Sequence, residues 1–239
     1  MTVDVRKNPN GIQWRKGDRC CKLELLRSDI LHVKVCFSAD MTEDASYAAL
    51  LVTEAQCVLG DEKTIVTPCA FTLTEEAGGR TLTFEGVQIH MQDEPFALTV
   101  RDASGRVVHR DLAGRAYGKD TNDRRIHYTA QDGFTHYYGF GEKSGGLDKY
   151  HRRLRMYSCD TLGYDAEWTD PLYKHIPFFL KHREADGAWC GVFYDCLPEG
   201  AFDLGCEHSN YWEKYISFTW DSGDLDYYLL LGSTPREVL

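Results

Sequence analysis

The sequence predicts an all-β fold, a large antiparallel β-sandwich with few short helices. Short runs alternate apolar and polar residues with a period of two, glycine-bearing turns separate them, and no helical period intervenes. Threonine, valine, isoleucine, tyrosine and phenylalanine recur in the runs, and these side chains fit a pleated, half-buried surface. The 239 residues, 43% hydrophobic and 13% aromatic, can fill one large β domain or two small ones. No repeat, low-complexity tract or linker divides them, so residues 1–239 read as a single domain.

Residues 1–20 show little periodicity, and Asn8-Pro9-Asn10-Gly11 marks a turn. Regular structure begins at Leu23 and Leu25 and strengthens from Ile30 to Phe37, where Leu31, Val33, Val35 and Phe37 share one face. Asp40 to Ala49 is polar and reads as a loop, followed by short strands at Ala49 to Val52, Cys57 to Leu59 and Thr64 to Val66. The pattern then sharpens. Phe71 to Thr74 leads through a Gly78-Gly79 turn into Thr81 to Phe84, then Val87 to Met91, and Phe96, Leu98 and Val100 alternate next. Ala103-Ser104-Gly105 turns the chain into Arg106 to His109, and the glycine-rich, charged span from Asp111 to Asp123 reads as a loop. Pro177 to His182 and Trp189 to Tyr194 flank Asp186-Gly187, the strongest short-range hairpin signal in the chain. Phe202 to Leu204, Tyr211 to Trp220 and Leu225 to Leu231 complete the sheet material. Thr234, Pro235 and Glu237 then form a capping box that opens a helix one turn before Leu239, and a helix that short does not stand alone, so the natural chain is expected to continue.

A formal net charge of −10 leaves little for a polyanion to hold, which argues against nucleic acid and anionic membrane as partners. Arg124 and Arg125, and Arg152, Arg153 and Arg155, are local exceptions that ion pairs on solvated faces explain more simply than an anion site. Polar residues follow Met1, and no apolar run has the length of a membrane span. With nine cysteines at irregular spacing, these features predict free thiols in a reducing cytoplasm. Cys20 and Cys21 are adjacent and can pair with each other only in a strained ring, so neither is expected in a disulfide.

The stretch from Tyr137 to Leu180 organises the chain. Glycines at 139, 141, 145 and 146 punctuate its start, and a long polar and aromatic excursion from Cys159 to Tyr173 follows before apolar residues resume at Ile176. A loop of that length is functional or disordered, and the rigid aromatics Tyr157, Tyr164, Trp168 and Tyr173 argue for a binding loop held on a scaffold. Asp160 stands among them. A carboxylate can accept two hydroxyl hydrogen bonds at fixed geometry, and Tyr157, Tyr164 and Trp168 can stack on the apolar face of a pyranose; the plainer reading of Asp160 is a turn former.

Other constellations are weaker. Glu142 reads as a structural acceptor for backbone N–H groups or Arg152, and Lys143-Ser144 fails as a phosphate loop because Glu142 stands where glycine is needed. Cys190, Cys196, Cys206 and His208 lack the paired spacing of structural zinc sites, and Asp221, Asp224 and Asp226 lack the order of a calcium loop. No nucleophile elbow marks a catalytic triad.

Several of these segments also carry a resemblance. Tyr138-Gly139-Phe140-Gly141-Glu142-Lys143, the loop aspartate Asp160, Asp170-Pro171-Leu172-Tyr173-Lys174-His175-Ile176-Pro177-Phe178-Phe179, Gly191-Val192-Phe193-Tyr194-Asp195 and the run from Leu231 to Leu239 come in one order across the C-terminal half. Together they resemble the N-terminal domain of glycoside hydrolase family 31, which contains α-glucosidases and α-xylosidases. The resemblance implies a galactose mutarotase-like supersandwich that precedes a (β/α)8 barrel and packs on it. It implies a retaining α-glycosidase, an α-glucosidase first, whose two catalytic carboxylates lie beyond Leu239. No residue here is then catalytic, and the fragment alone has no glycosidase activity. Asp160 is implied to bind sugar hydroxyls beside the scissile bond, with Thr161 a weaker candidate of the same kind. Tyr157 and Ser158 stand where family members commonly have tryptophan and asparagine, and Leu162 where some place a hydroxyl, so the sugar stays open. An α-linked oligosaccharide and the barrel are the implied partners, with no metal or organic cofactor; a homo-oligomer stays open. Two rivals remain: a stand-alone carbohydrate-binding module, and a mutarotase-like or cupin-like sugar-modifying enzyme.

Overall fold

The computed structural model describes residues 2–38, 41, 57–59, 62–64, 69–196 and 198–239. In chain order the strands are β1 (Asp4–Asn8), β2 (Gly11–Lys16), β3 (Arg19–Arg27), β4 (Ile30–Cys36), β5 (Cys57–Leu59), β6 (Glu62–Thr64) and β7 (Thr72–Glu76). They continue as β8 (Gly79–Phe84), β9 (Val87–Asp93), β10 (Phe96–Arg101), β11 (Val107–Arg110), β12 (Tyr117–Lys119), β13 (Arg125–Ala130) and β14 (Thr135–Gly141). Then come β15 (Arg153–Met156), β16 (His175–Arg183), β17 (Ala188–Tyr194), β18 (Gly200–Asp203), β19 (Tyr215–Trp220), β20 (Leu225–Gly232) and the helix α1 (Pro235–Val238).

An eight-stranded sheet, β1-β2-β3-β4-β20-β17-β16-β14, faces two five-stranded sheets, β11-β10-β9-β8-β7 and β12-β13-β19-β18-β15. The paired strands in each are antiparallel, and β5-β6 form a separate hairpin. Period-two alternation explains the layering: Leu23, Leu25, Leu31, Val33, Tyr227 and Leu229 point inward from the large sheet and are fully buried. Aromatic contacts tie the layers together. Trp14 stacks on Phe96 at 4.4 Å, Phe96 lies against Tyr117 at 5.6 Å, and Tyr194 meets Phe218 at 4.5 Å.

The expected all-β sandwich is what forms, and the short helix α1 starts as its residues dictate. Thr234 Oγ1 accepts from the Glu237 amide at 3.3 Å, while the Glu237 carboxylate accepts from the Ser233 amide at 2.8 Å. The Asp186-Gly187 turn joins β16 to β17 as expected.

Three expectations are corrected. Residues 4–16, which look aperiodic in sequence, form the β1–β2 hairpin about the anticipated Asn8–Gly11 turn; β1 is an edge strand with no buried residue, so it carries no alternation to read. The Asp111–Asp123 loop contains β12, and β13 follows it, with Ile126, Tyr128 and Ala130 alternating with Arg125, His127 and Thr129. Cys20 is disulfide-bonded, to Cys36: β3 and β4 set the two directly opposite, with Cα atoms 5.2 Å apart, inside the range a disulfide spans. The partner comes from the neighbouring strand, not from the adjacent Cys21, which is a free, buried thiol. The expected strand at Ala49 to Val52 lies outside the described residues, as do the last two residues of the one at Thr64 to Val66.

Candidate functional site

The site grows from the end of β14. The β14–β16 register slips between Gly139 and Gly141, where the single residue Phe140 stands opposite residues 176–178 of β16; Phe140 takes φ 71 and packs its ring in the core against Phe179 at 4.8 Å. Gly141 follows at φ 80, where a Cβ would fall 2.7 Å from Ile176 N. Only glycine fits that backbone. The bulge re-aims the chain into the run Lys143 to Gly146, which folds around a lysine: Lys149 Nζ donates to the carbonyls of Ser144 at 2.9 Å and Gly146 at 2.7 Å, and more loosely to those of Lys143 and Gly145. Burial of that ammonium lowers the Lys149 pKa. A phosphate loop would present N–H groups, whereas this loop presents carbonyl oxygens to Lys149.

The excursion after β15 is pinned at both ends. Buried Lys143 Nζ donates to Asp170 Oδ1 at 2.8 Å and to the Arg155 carbonyl, and Asp170 Oδ2 accepts from the Arg155 amide at 2.5 Å. Thr161 Oγ1 donates to the Pro171 carbonyl at 3.0 Å, and Tyr173 Oη donates to the Thr161 carbonyl at 3.0 Å. Within the loop, Asp165 Oδ1 accepts from the Glu167 and Trp168 amides at 2.8 and 2.9 Å, an Asx-capped turn that lifts Trp168 outward.

Asp160 is exposed, and among the described residues no main-chain amide donates to it. Its neighbour is Tyr173, whose phenol pKa is raised by desolvation and by the carboxylates of Asp160 and Glu142. Tyr164 meets Tyr173 edge-on at 6.5 Å, so Asp160, Tyr164 and Tyr173 form one group. Trp168 is 72% exposed with the Arg152 guanidinium 5.0 Å from its ring, and Tyr157 carries Arg155 in the same way at 5.4 Å. Thr161 is placed beside Asp160 in sequence, but its hydroxyl hydrogen is committed to Pro171. Leu147, Leu162 and Ile176 add exposed apolar surface to the same region.

Glu142 is exposed instead of serving Arg152, which donates to the Glu167 carbonyl at 2.9 Å and reaches Ser144 Oγ at 3.4 Å. Arg124 and Arg153 form the anticipated ion pairs, with Asp120 and Asp203 at 2.8 and 2.6 Å. The sulfur set does not converge. Burial pushes the Cys190 thiol up to about 11, Cys196 donates to the carbonyls of Asp224 and Asp226, and His208 lies against His151.

A protein-family model described as the glycosyl hydrolase 31 N-terminal galactose mutarotase-like domain matches residues 20–203. Alpha-glucosidase 2 of Bacillus thermoamyloliquefaciens is 32% identical over 168 residues, 66% of this chain and 19% of that protein. Alpha-xylosidase XylQ of Lactiplantibacillus pentosus is 28% identical over 102 residues, 43% of this chain and 12% of that protein. The chain thus spans less than a fifth of the length of these curated relatives. Among solved structures, a Flavobacterium johnsoniae GH31 dextranase complexed with glucose superposes with a TM-score of 0.80 at 22% identity, covering 100% of this chain and 27% of that one. A GH31 alpha-xylosidase from a soil metagenome, complexed with xylose, gives 0.71 at 10% identity over 98% of this chain and 33% of that one.

Proposed function

Since the chain belongs to the glycosyl hydrolase 31 N-terminal galactose mutarotase-like domain family, we propose that it serves as the accessory sandwich of a retaining α-glycosidase, an α-glucosidase first. In this reading it packs on a (β/α)8 catalytic barrel of the same protein and lends the barrel's pocket a substrate-binding loop. Asp160 accepts hydrogen bonds from sugar hydroxyls, and Tyr157, Tyr164 and Trp168 flank the ring.

The observation that carries the proposal is the contrast within one loop. Lys143, Asp170 and Thr161 fasten its base by buried or half-buried bonds, whereas its tip exposes Asp160, Leu162, Tyr164 and Trp168. A loop held this firmly yet turned outward fits a surface completed by a neighbour. The reading of an α-glucosidase rests on the 32% identity to alpha-glucosidase 2.

Calorimetry and kinetics test the reading together. The 239-residue chain alone is expected to give no binding heat with maltose or isomaltose and no glycosidase activity. The same chain joined to its barrel is expected to hydrolyse an α-glycoside, with kcat/KM lowered by Asp160→Ala. Binding by the isolated chain points instead to a stand-alone module, and an Asp160→Ala enzyme with undiminished kcat/KM removes the loop's role.

A further inference from the structure

The core holds a second polar cluster that the loop does not use. Side chains two apart on an extended strand share a face, so His109 on β11 and Asp111 just after it point the same way. A bridge between Asp111 and Thr129 brings β13 alongside and adds His127. Asp111 Oδ1 lies 3.2 Å from His109 Nε2 and 2.9 Å from His127 Nε2, and these three atoms all fall within 4.8 Å of one another. All three side chains are buried, at 2% exposure or less.

Around them stands an outer ring of partners. Asp111 Oδ2 accepts from the Leu98 amide at 2.7 Å and Tyr117 Oη at 2.5 Å, and His127 Nδ1 lies 3.0 Å from Tyr194 Oη. Such contacts fix carboxylate and imidazole orientation in metal sites. Tyr227 has its ring 5.3 Å from that of His127 and 5.7 Å from that of His109, and its buried hydroxyl meets the geometric criteria for a hydrogen bond with none of the described residues. Among the described residues no lysine or arginine contacts Asp111, and buried charges are paired or coordinate metals.

We propose that His109 Nε2, Asp111 Oδ1 and His127 Nε2 are ligands of a structural zinc ion. Two imidazoles and one carboxylate suit zinc and its first-row neighbours, whereas magnesium and calcium take sets of oxygens. On binding, each Nε2 frees its lone pair as its proton moves to Nδ1; that of His127 then donates to Tyr194 Oη. A water would complete the four-coordinate set. The ion would join the sheet of β11 to that of β13, entering as the layers close during folding.

The 239-residue chain is unfolded in denaturant with EDTA and refolded with or without zinc chloride; bound metal is measured by mass spectrometry and stability by thermal melting. Stoichiometric zinc and a melting temperature several degrees higher are expected. Cobalt(II) in place of zinc is expected to give the intense visible absorption of a four-coordinate site, and His109→Asn and Asp111→Asn to lose both signals. Wild-type chain that melts identically with and without zinc and takes up no cobalt overturns the site and leaves a closed hydrogen-bond network. Retention of metal by both variants overturns it too. Should the variants fail to fold, the wild-type zinc and cobalt measurements decide alone.

Discussion

Lys143 and Asp170, 27 residues apart in the chain, meet at 2.8 Å with the lysine side chain fully buried. The pair closes the loop after β15 at its base. Removing one partner leaves the other charge buried and uncompensated, at about 3–5 kcal/mol. Asp170→Asn is therefore expected to lower the urea midpoint of the whole domain and to speed proteolysis within residues 157–170. An unchanged midpoint would mean the pair is peripheral.

Gly141 and Gly163 separate backbone strain from crowding. Both have positive φ, 80 and 64, but a Cβ at Gly141 meets Ile176 N at 2.7 Å, whereas at Gly163 nothing lies within 4 Å. Gly163→Ala should cost only the left-handed penalty of about 1–2 kcal/mol. Gly141→Ala should cost clearly more, read as a larger loss in denaturant midpoint.

His32 sets a pH dependence on the alkaline side. Burial lowers its pKa, but hydrogen bonds to Asp226 at 2.7 Å and Glu24 at 3.0 Å overcome this and raise it to about 9. A folded pKa above the unfolded value of about 6.5 adds stability that is complete below about pH 6.5 and lost as pH rises through about 9, some ~3 kcal/mol in all. Unfolding free energy measured between these limits should fall with pH in the wild type and run flatter in His32→Gln.

Asp160 carries the kinetic prediction. A hydrogen bond to a charged group contributes about 1.5–3 kcal/mol, so Asp160→Ala in the barrel-joined protein should lower kcat/KM by about 10- to 100-fold. Trp168→Ala should act mainly on KM, because stacking serves ground state and transition state alike. Equal melting temperatures for both variants and the wild type would place the effect in binding.

Strands with clean alternation are legible in the sequence, as is the helix start at Thr234, because local chemistry decides both. β13 is legible on one face only: Ile126, Tyr128 and Ala130 alternate, but the opposite face buries His127 and Thr129, whose burial has no apolar signature. The exposed tip at Asp160, Tyr164 and Trp168 can be read from its aromatics. Its fastening cannot, since Lys143–Asp170 is a long-range contact between residues unremarkable in themselves. His109, Asp111 and His127 escape a sequence reading for the same reason. His-x-Asp at 109–111 is the only local hint, and its partner arrives from another sheet.

Lys149 gives the glycine run one further property. Carbonyl oxygens gathered about an ammonium make a host of the kind ionophores offer to potassium, but here the guest is tethered to its own host by three residues of main chain. Dissolved cations cannot compete with an occupant whose local concentration is fixed by covalent bonds. The turn that follows β14 therefore keeps its shape whatever the salinity outside.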